Sequence, residues 1–430
     1  MILIYANTST LRLQYICQFI FKEQLGVTYS LTVDADGFEK HDGPKINYSN
    51  KSFLEPYPGF KIQNTSLLFE DKIIQHTIEC FDTKHYKAFF KTTGSDFAFD
   101  IFAASFYLIS RYEEYLPHEL DVYGRYAHEN ALAFKQGFLN KPLVNIWLTD
   151  FAACLQQKFP SLKIKLPSFN YLPTYDIDIA WSYKSKGLLR NIGGFIKAPS
   201  ASRIKVLLGL NTDPFDSYMF LNALHDEYGL KPVYFFLAAT WGSLYDKNIS
   251  PYSNGMWQLI KQHAKKYTIG VHPSWKSNEN VAIIKKEKKI LETAGNVMIH
   301  KSRQHYIKLT LPITYQNLLD AGINEDYSMG YGSINGFRAS VASSYLWYDL
   351  SAEKITNLRI QPFCFMDANC YYEQKQDSRQ AFDELLYYFN CCKQYGGQMI
   401  TIFHNNFLGT DKQFAGWKEM YQQFIAQAQQ

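Results

Sequence analysis

The chain of 430 residues carries 44 Lys and Arg against 40 Asp and Glu, with 47% hydrophobic and 20% charged residues, enough apolar content for more than one core. A formal net charge of +4, with bases and acids interleaved, forces no electropositive stripe and gives nucleic-acid binding no support. No window approaches the roughly 20 apolar residues that cross a bilayer, and seven scattered cysteines without a Cys-x-x-Cys pair favour a reducing, cytoplasmic setting over a cysteine-built zinc site.

Taken in chain order, residues 2–5 read as a first β-strand, since no basic region precedes them and the apolar run is too short for a secretory core. Short strands are expected at 67–70 and 73–78. A helix is expected over 99–115, where Ile101, Ser105, Leu108 and Tyr112 share a face. The polar group Arg111, Glu113, Glu114, His118, Asp121, Arg125 and His128 reads as helix-end ion pairs and an interface rather than as a site. A further helix carries Val144, Trp147, Leu148, Phe151, Leu155 and Phe159 at spacings of three and four. It ends in the Pro-punctuated stretch from Pro160 to Pro167. The boundary is placed at 168, giving an N-terminal α/β domain (1–168) and a C-terminal domain (169–430).

Downstream the pattern becomes regular. Strand-like runs at 171–177, 233–238, 267–271, 297–299, 327–331, 358–365 and 399–403 alternate with helical ones at 215–228, 253–266, 280–293, 313–321 and 378–394, with a last helix after Asp411. Alternation of this kind implies right-handed crossovers and a parallel sheet, and about seven units fit a (β/α) barrel better than an open sheet. The connection 179–214, with Lys184, Lys186, Arg190, Lys197, Arg203 and Lys205, reads as a long loop, a lid or side excursion, ahead of the competing reading of its bases as a contact for an anionic ligand. The run Lys285-Lys286-Glu287-Lys288-Lys289 reads as the wet face of an amphipathic helix.

Parallel barrels carry their chemistry at the C-terminal strand ends. Those positions hold Asp176 and Asp178 after the first strand, His272 after the third, and His300, Arg303 and His305 after the fourth. Asp326 lies at the fifth, Asp367 follows the sixth, and His404 follows the seventh. A ring of carboxylates and imidazoles on one rim is a catalytic constellation that a metal would organise. Asp176 and Asp178, two apart in a strand, face the same side about 7 Å apart. Two such anions repel unless a cation or a proton lies between them; the competing reading is a solvated strand end with a helix cap. His272, followed by Pro273, has a structural reading beside the functional one. Trp275 offers a flat apolar wall for a sugar ring. His404 projects from the last strand, where an imidazole can protonate a leaving group.

Thr174-Tyr175-Asp176-Ile177-Asp178, Gly270-Val271-His272-Pro273-Ser274, Gly336-Phe337-Arg338-Ala339-Ser340 and Ile402-Phe403-His404, in that order over 169–430, resemble the motifs of the polysaccharide deacetylase family, the metal-dependent carbohydrate esterases with nodulation-type homology. The resemblance implies a distorted (β/α)7 barrel that removes acetyl groups, N-acetyl ahead of O-acetyl, from an acetylated carbohydrate. By resemblance Asp176 is the catalytic base, Asp178 and His272 are metal ligands, Arg338 holds Asp176 ionised, and His404 is the catalytic acid. The chain departs from the family where its second histidine is expected, since that position is Lys276, and an ammonium cannot ligate a cation. His305 is favoured as the third ligand, with His300 as its rival. A divalent ion, zinc ahead of cobalt, nickel or iron, suits one carboxylate and two imidazoles.

Trp275, Tyr306, Asp326 and Asp367 are the candidate substrate contacts, and Trp181, Tyr331 and Trp347 are further rings after strand ends. Two other readings stay open: a degenerate, glycan-binding site marked by Lys276, and a glycoside hydrolase pairing Asp176 with Asp326 or Asp367.

Overall fold

The computed structural model describes residues 1–54, 56–197, 199–240 and 242–429. The fold is mixed α/β, with two parallel sheets and a small hairpin. Strands β1 (Ile2–Tyr5), β2 (Tyr29–Thr32), β3 (Lys45–Asn47) and β4 (Phe60–Lys61) form the first sheet in the order β2-β1-β3-β4. The helix Ile101–Ile109 is buried at every residue, as its near-absence of polar side chains requires. It starts at Asp100, whose carboxylate accepts from Ala103 N and from the Tyr48 and Thr65 hydroxyls.

This helix is shorter than its periodicity predicts. Arg111 adopts a left-handed conformation (φ 56°) and residues 112–115 turn as a 3-10 segment, so the charged side chains of 111–114 leave the helix axis toward the second half of the chain. The expected strands at 67–70 and 73–78 are absent as well. Leu67–Phe69 is a 3-10 turn, and Ile74 exchanges its backbone bonds with the Tyr112 hydroxyl instead of a strand. The hairpin pairs β5 (Phe81–Asp82) with β6 (Lys87–Ala88).

The second sheet holds β7 (Phe169–Ile177), β8 (Val233–Phe236), β9 (Thr268–Val271), β10 (Lys301–Ser302), β11 (Glu325–Asp326), β12 (Tyr345–Asp349), β13 (Lys354–Ile360), β14 (Phe365–Met366) and β15 (Gly397–His404). Their order is β12-β13-β11-β10-β9-β8-β7-β15-β14, parallel except for the β12–β13 pair. The chain from 354 to 366 pairs with β11 through β13 and with β15 through β14.

Alternation sorts the side chains of these strands. Val233, Phe235, Ile400 and Ile402 belong to a separate apolar cluster with Ile307, Tyr327, Phe363 and Met366. Their neighbours Tyr234, Phe236 and Phe403 join the main core with the helices. Asp176 stands in register with Phe235 on one side and His404 on the other, which places both on the side of the smaller cluster.

Two expected strands shift along the chain. Val297 and Met298 are exposed after a left-handed helix end at Asn296, and pairing starts only at Lys301. The fifth strand falls at Glu325–Asp326, ahead of 327–331. The connection 179–214 is not a bare loop, for it contains the helices Leu188–Lys197 and Ala201–Leu207; the side chains of Arg190 and Lys197 lie outside the described residues. Within the basic run of 285–289, Glu287 turns inward and is buried. No helix among the described residues is long and apolar enough to cross a membrane.

Candidate metal centre

The rim above the smaller cluster brings Asp176, Asp178, His272, His305 and His404 together around one pocket of about 520 Å³. Asp178 sits at its middle. His272 Nε2 lies 3.0 Å from its Oδ1, His305 Nε2 3.4 Å from its Oδ2, and His404 Nε2 3.5 Å from Oδ2.

The far nitrogen of each ring is already engaged. His272 Nδ1 meets the Arg303 carbonyl oxygen at 2.5 Å, His305 Nδ1 meets Asp246 Oδ1 at 3.0 Å, and His404 Nδ1 meets Asp367 Oδ1 at 2.6 Å. A carbonyl or carboxylate oxygen only accepts, so each Nδ1 carries a hydrogen, and each Nε2, a lone pair when its ring is neutral and a donor when it is protonated, turns toward Asp178. Lone pairs facing a carboxylate repel unless a cation or extra protons lie between them.

The buried Asp178 Oδ1 has no hydrogen-bond partner, and donor atoms of Asp178, His272 and His305 all lie within 4.8 Å of one another. A divalent ion with bonds of about 2.0–2.2 Å to nitrogen and oxygen fits this donor set. Without an ion, protons on the rings fill the gap: burial pushes the Asp178 carboxyl up, but His305 and His404 outweigh it and hold it well below the usual carboxylate range. Burial lowers His305 and His404, and their carboxylate partners reverse this, raising His305 to about 9 and His404 to about 10.

The arginine beside Asp176 is Arg303. Its Nη1 donates to Asp176 Oδ1 at 2.9 Å and to Thr174 Oγ1 at 2.7 Å, and its Nε to the Tyr327 carbonyl. Arg338, expected in that place, instead donates to both oxygens of Glu114 at 2.8 and 2.6 Å and to the Gly330 carbonyl. Its loop follows β11 at the seam with the N-terminal region, where Glu114 from the broken helix claims it.

Asp326 accepts from Ser302 Oγ, Ser328 N and Ser328 Oγ and does not line the pocket. Asp367 is turned onto the ring and the backbone N–H of His404, so it faces another side chain and not the open space. His300 is exposed one residue before β10, and Lys276 is exposed too.

Tyr306 lines the pocket. Trp275 stands behind it, stacked on Tyr245 with centroids 3.9 Å apart. Trp347 packs on Tyr315 in the core and Trp181 on Tyr218, while Tyr331 lies under the Arg338 guanidinium.

Several members of the site carry no sequence motif. Asp246 follows β8, a rim position at which the sequence shows no candidate although every neighbouring strand end has one. That vacancy was the usable signal. Tyr123 and Arg125 reach the pocket from the N-terminal region. Arg125 is tied to Asp121 (Nε to Oδ2, 2.6 Å) and donates from Nη1 to the Tyr306 carbonyl at 2.6 Å. Gly332 leaves room for it, as a Cβ there would meet Nη1 at 1.9 Å.

Residues 2–160 match a family model described only as a family of unknown function (DUF7033). No curated protein matches the chain. Among solved structures it is similar to a putative polysaccharide deacetylase from Mycobacterium smegmatis (13% identity, TM-score 0.40, covering 61% of this chain and 84% of that one). It is also similar to Puue allantoinase (10%, 0.39, 60% and 84%) and to a probable polysaccharide deacetylase from Pseudomonas aeruginosa PAO1 (11%, 0.38, 61% and 85%). Likeness of this degree transfers no chemistry; the side chains of this chain have to supply it.

Proposed function

We propose that residues 169–430 form a distorted seven-stranded (β/α) barrel whose rim hydrolyses acetyl groups from a carbohydrate with the help of a divalent metal, N-acetyl ahead of O-acetyl. The observation that carries this reading is the convergence of three imidazole Nε2 atoms on Asp178 while every Nδ1 is anchored elsewhere. Asp178, His272 and His305 would hold the ion, zinc first among divalent metals for this donor set. When bound, it would supply Lewis-acid polarisation of the acetyl carbonyl and acidify a water.

The chain's own groups do the rest. Asp176, held in place by the Arg303 guanidinium, accepts the proton of the attacking water. His404 faces the same space from the adjoining strand β15, held through Nδ1 by Asp367, and donates from Nε2 to the departing nitrogen or oxygen. An amine is the poorer leaving group, so a positioned acid matters more for N-acetyl substrates. Tyr306, with Trp275 and Tyr245 behind it, gives the mouth an aromatic wall against which a sugar can stack. Residues 1–168 are read as a separate domain that contributes Tyr123 and Arg125 to that mouth.

The two-carboxylate glycosidase reading loses support because Asp326 and Asp367 are both spent on protein partners. The test is metal analysis of the purified chain together with acetate release from acetylated oligosaccharides. Stoichiometric metal and chelator-sensitive acetate release are expected. Glycan binding that ignores chelators, without bound metal, would favour the degenerate glycan-binding reading instead.

A further inference from the structure

The connection leaving Asp178 combines a basic, acid-free sequence with exposed apolar side chains. Residues 179–212 contain six Lys and Arg and no Asp or Glu. They also concentrate exposed apolar side chains: Ile192 is 47% exposed, Ile196 76%, Ile204 46%, Leu207 49%, Leu208 69% and Leu210 70%.

The spacing is helical. Ile192 and Ile196 share a face of the helix Leu188–Lys197, and Ile204, Leu207 and Leu208 share a face of Ala201–Leu207 and its cap. In both cases that face points to solvent, the reverse of what a helix packed on its own core shows. The pair is nevertheless built. Arg203 Nη1 donates to the Asn191 carbonyl at 3.0 Å and its guanidinium lies 4.9 Å from the Tyr183 ring.

Its root is fixed at the catalytic rim. The Asp213 carboxylate accepts from Ser182, Tyr183 and Lys184 N at 2.7–3.0 Å. Asn405, next to His404, donates from Nδ2 to the carbonyls of Ile179 and Phe215.

We propose that this helix pair is an interfacial device that docks the protein on an anionic lipid bilayer. Outward apolar side chains on a segment whose 34 residues hold six bases and no acid match the charge and depth of a headgroup region, and neither helix is long enough to span it. A partner protein surface would need acids and would leave the outward apolar faces to be matched one by one; a bilayer takes both at once.

The test is flotation of the full chain with vesicles of phosphatidylcholine alone and of phosphatidylcholine with phosphatidylglycerol. Recovery with the anionic vesicles should exceed that with neutral ones by about tenfold and fall as salt rises. The double substitution Ile196→Glu/Leu208→Glu should abolish it, and Lys205→Glu, a milder change on an exposed side chain, should weaken it while thermal unfolding stays unchanged. The proposal is overturned if the chain floats with neither vesicle, if both variants float like the parent, or if the chain instead self-associates in a way the double variant breaks.

Discussion

The rim and the seam between the two halves of the chain both gather charged side chains, to opposite ends. At the seam, Arg111 donates to Glu114 Oε1 at 2.6 Å and to the Arg338 carbonyl, and Arg338 closes on both oxygens of Glu114. Arg12 and Glu353 form a second link. None of these side chains lines the pocket.

At the rim the charges are buried or, at Asp178, half-buried, and three imidazole Nε2 atoms point at that one carboxylate across a shared gap. Burial and ion pairing alone therefore do not mark a functional cluster. What marks it is a set of ionisable groups aimed at one open place.

The largest expected effect separates the two regions outright. Asp178→Asn and His272→Ala should lose bound metal and turnover together, and His305→Ala should do the same while His300→Ala changes neither. His404→Ala should keep the metal and lower kcat by about 10²–10⁴-fold. Metal retention after His305→Ala would remove it from the ligand set and leave the rest standing.

At the seam, Glu114→Ala strands two buried guanidinium groups and should cost about 3–5 kcal/mol of stability, read by denaturant unfolding, with metal content of the folded protein unchanged. A loss of metal instead would show that the seam and the rim are one network.

Smaller effects sharpen the contrast. Asp246→Asn frees the His305 ring and should weaken metal affinity about 10–100-fold, measured by chelator competition. The seam should also carry its own pH signature. Burial pushes Glu114 up, but Arg338 and Arg111 outweigh it and hold the folded carboxyl at about 2, below its ordinary 4.5. Its contribution to stability is complete above 4.5 and is lost as the pH falls from there toward 2. Glu114→Gln should be less stable at neutral pH and should flatten that portion of the unfolding profile.

The sequence makes the rim legible through position: Asp176, Asp178, His272, His305 and His404 each follow an apolar run, and strand alternation puts them on one side. It does not make arginine pairing legible. Arg303 and Arg338 both follow strand ends, and only the break of the helix at Arg111 brings Glu114 to Arg338 and leaves Arg303 with Asp176. Asp246 was hidden because it lies in the loop that follows β8, held by bonds to Trp275 N and Ser243 Oγ that no local pattern announces. The strands expected at 67–70 and 73–78 fail for the converse reason, since β-prone residues there found side-chain partners before a neighbouring strand.

The smallest prediction lies where the two regions meet. Arg125 comes from the N-terminal half, yet its Nη1 holds the carbonyl of Tyr306, a non-glycine residue at φ 60° next to His305. A left-handed backbone of this kind costs on the order of 1–3 kcal/mol and persists only where its surroundings enforce it. Removing one hydrogen bond that enforces it should relax the turn without unseating His305, which Asp246 still anchors. Arg125→Ala should therefore raise KM several-fold, in keeping with about 1 kcal/mol for a lost hydrogen bond, with kcat and bound metal nearly unchanged. A fall in kcat of the size expected for His404→Ala would place Arg125 with the rim's chemistry. No change at all would return it, with Asp121, to the seam.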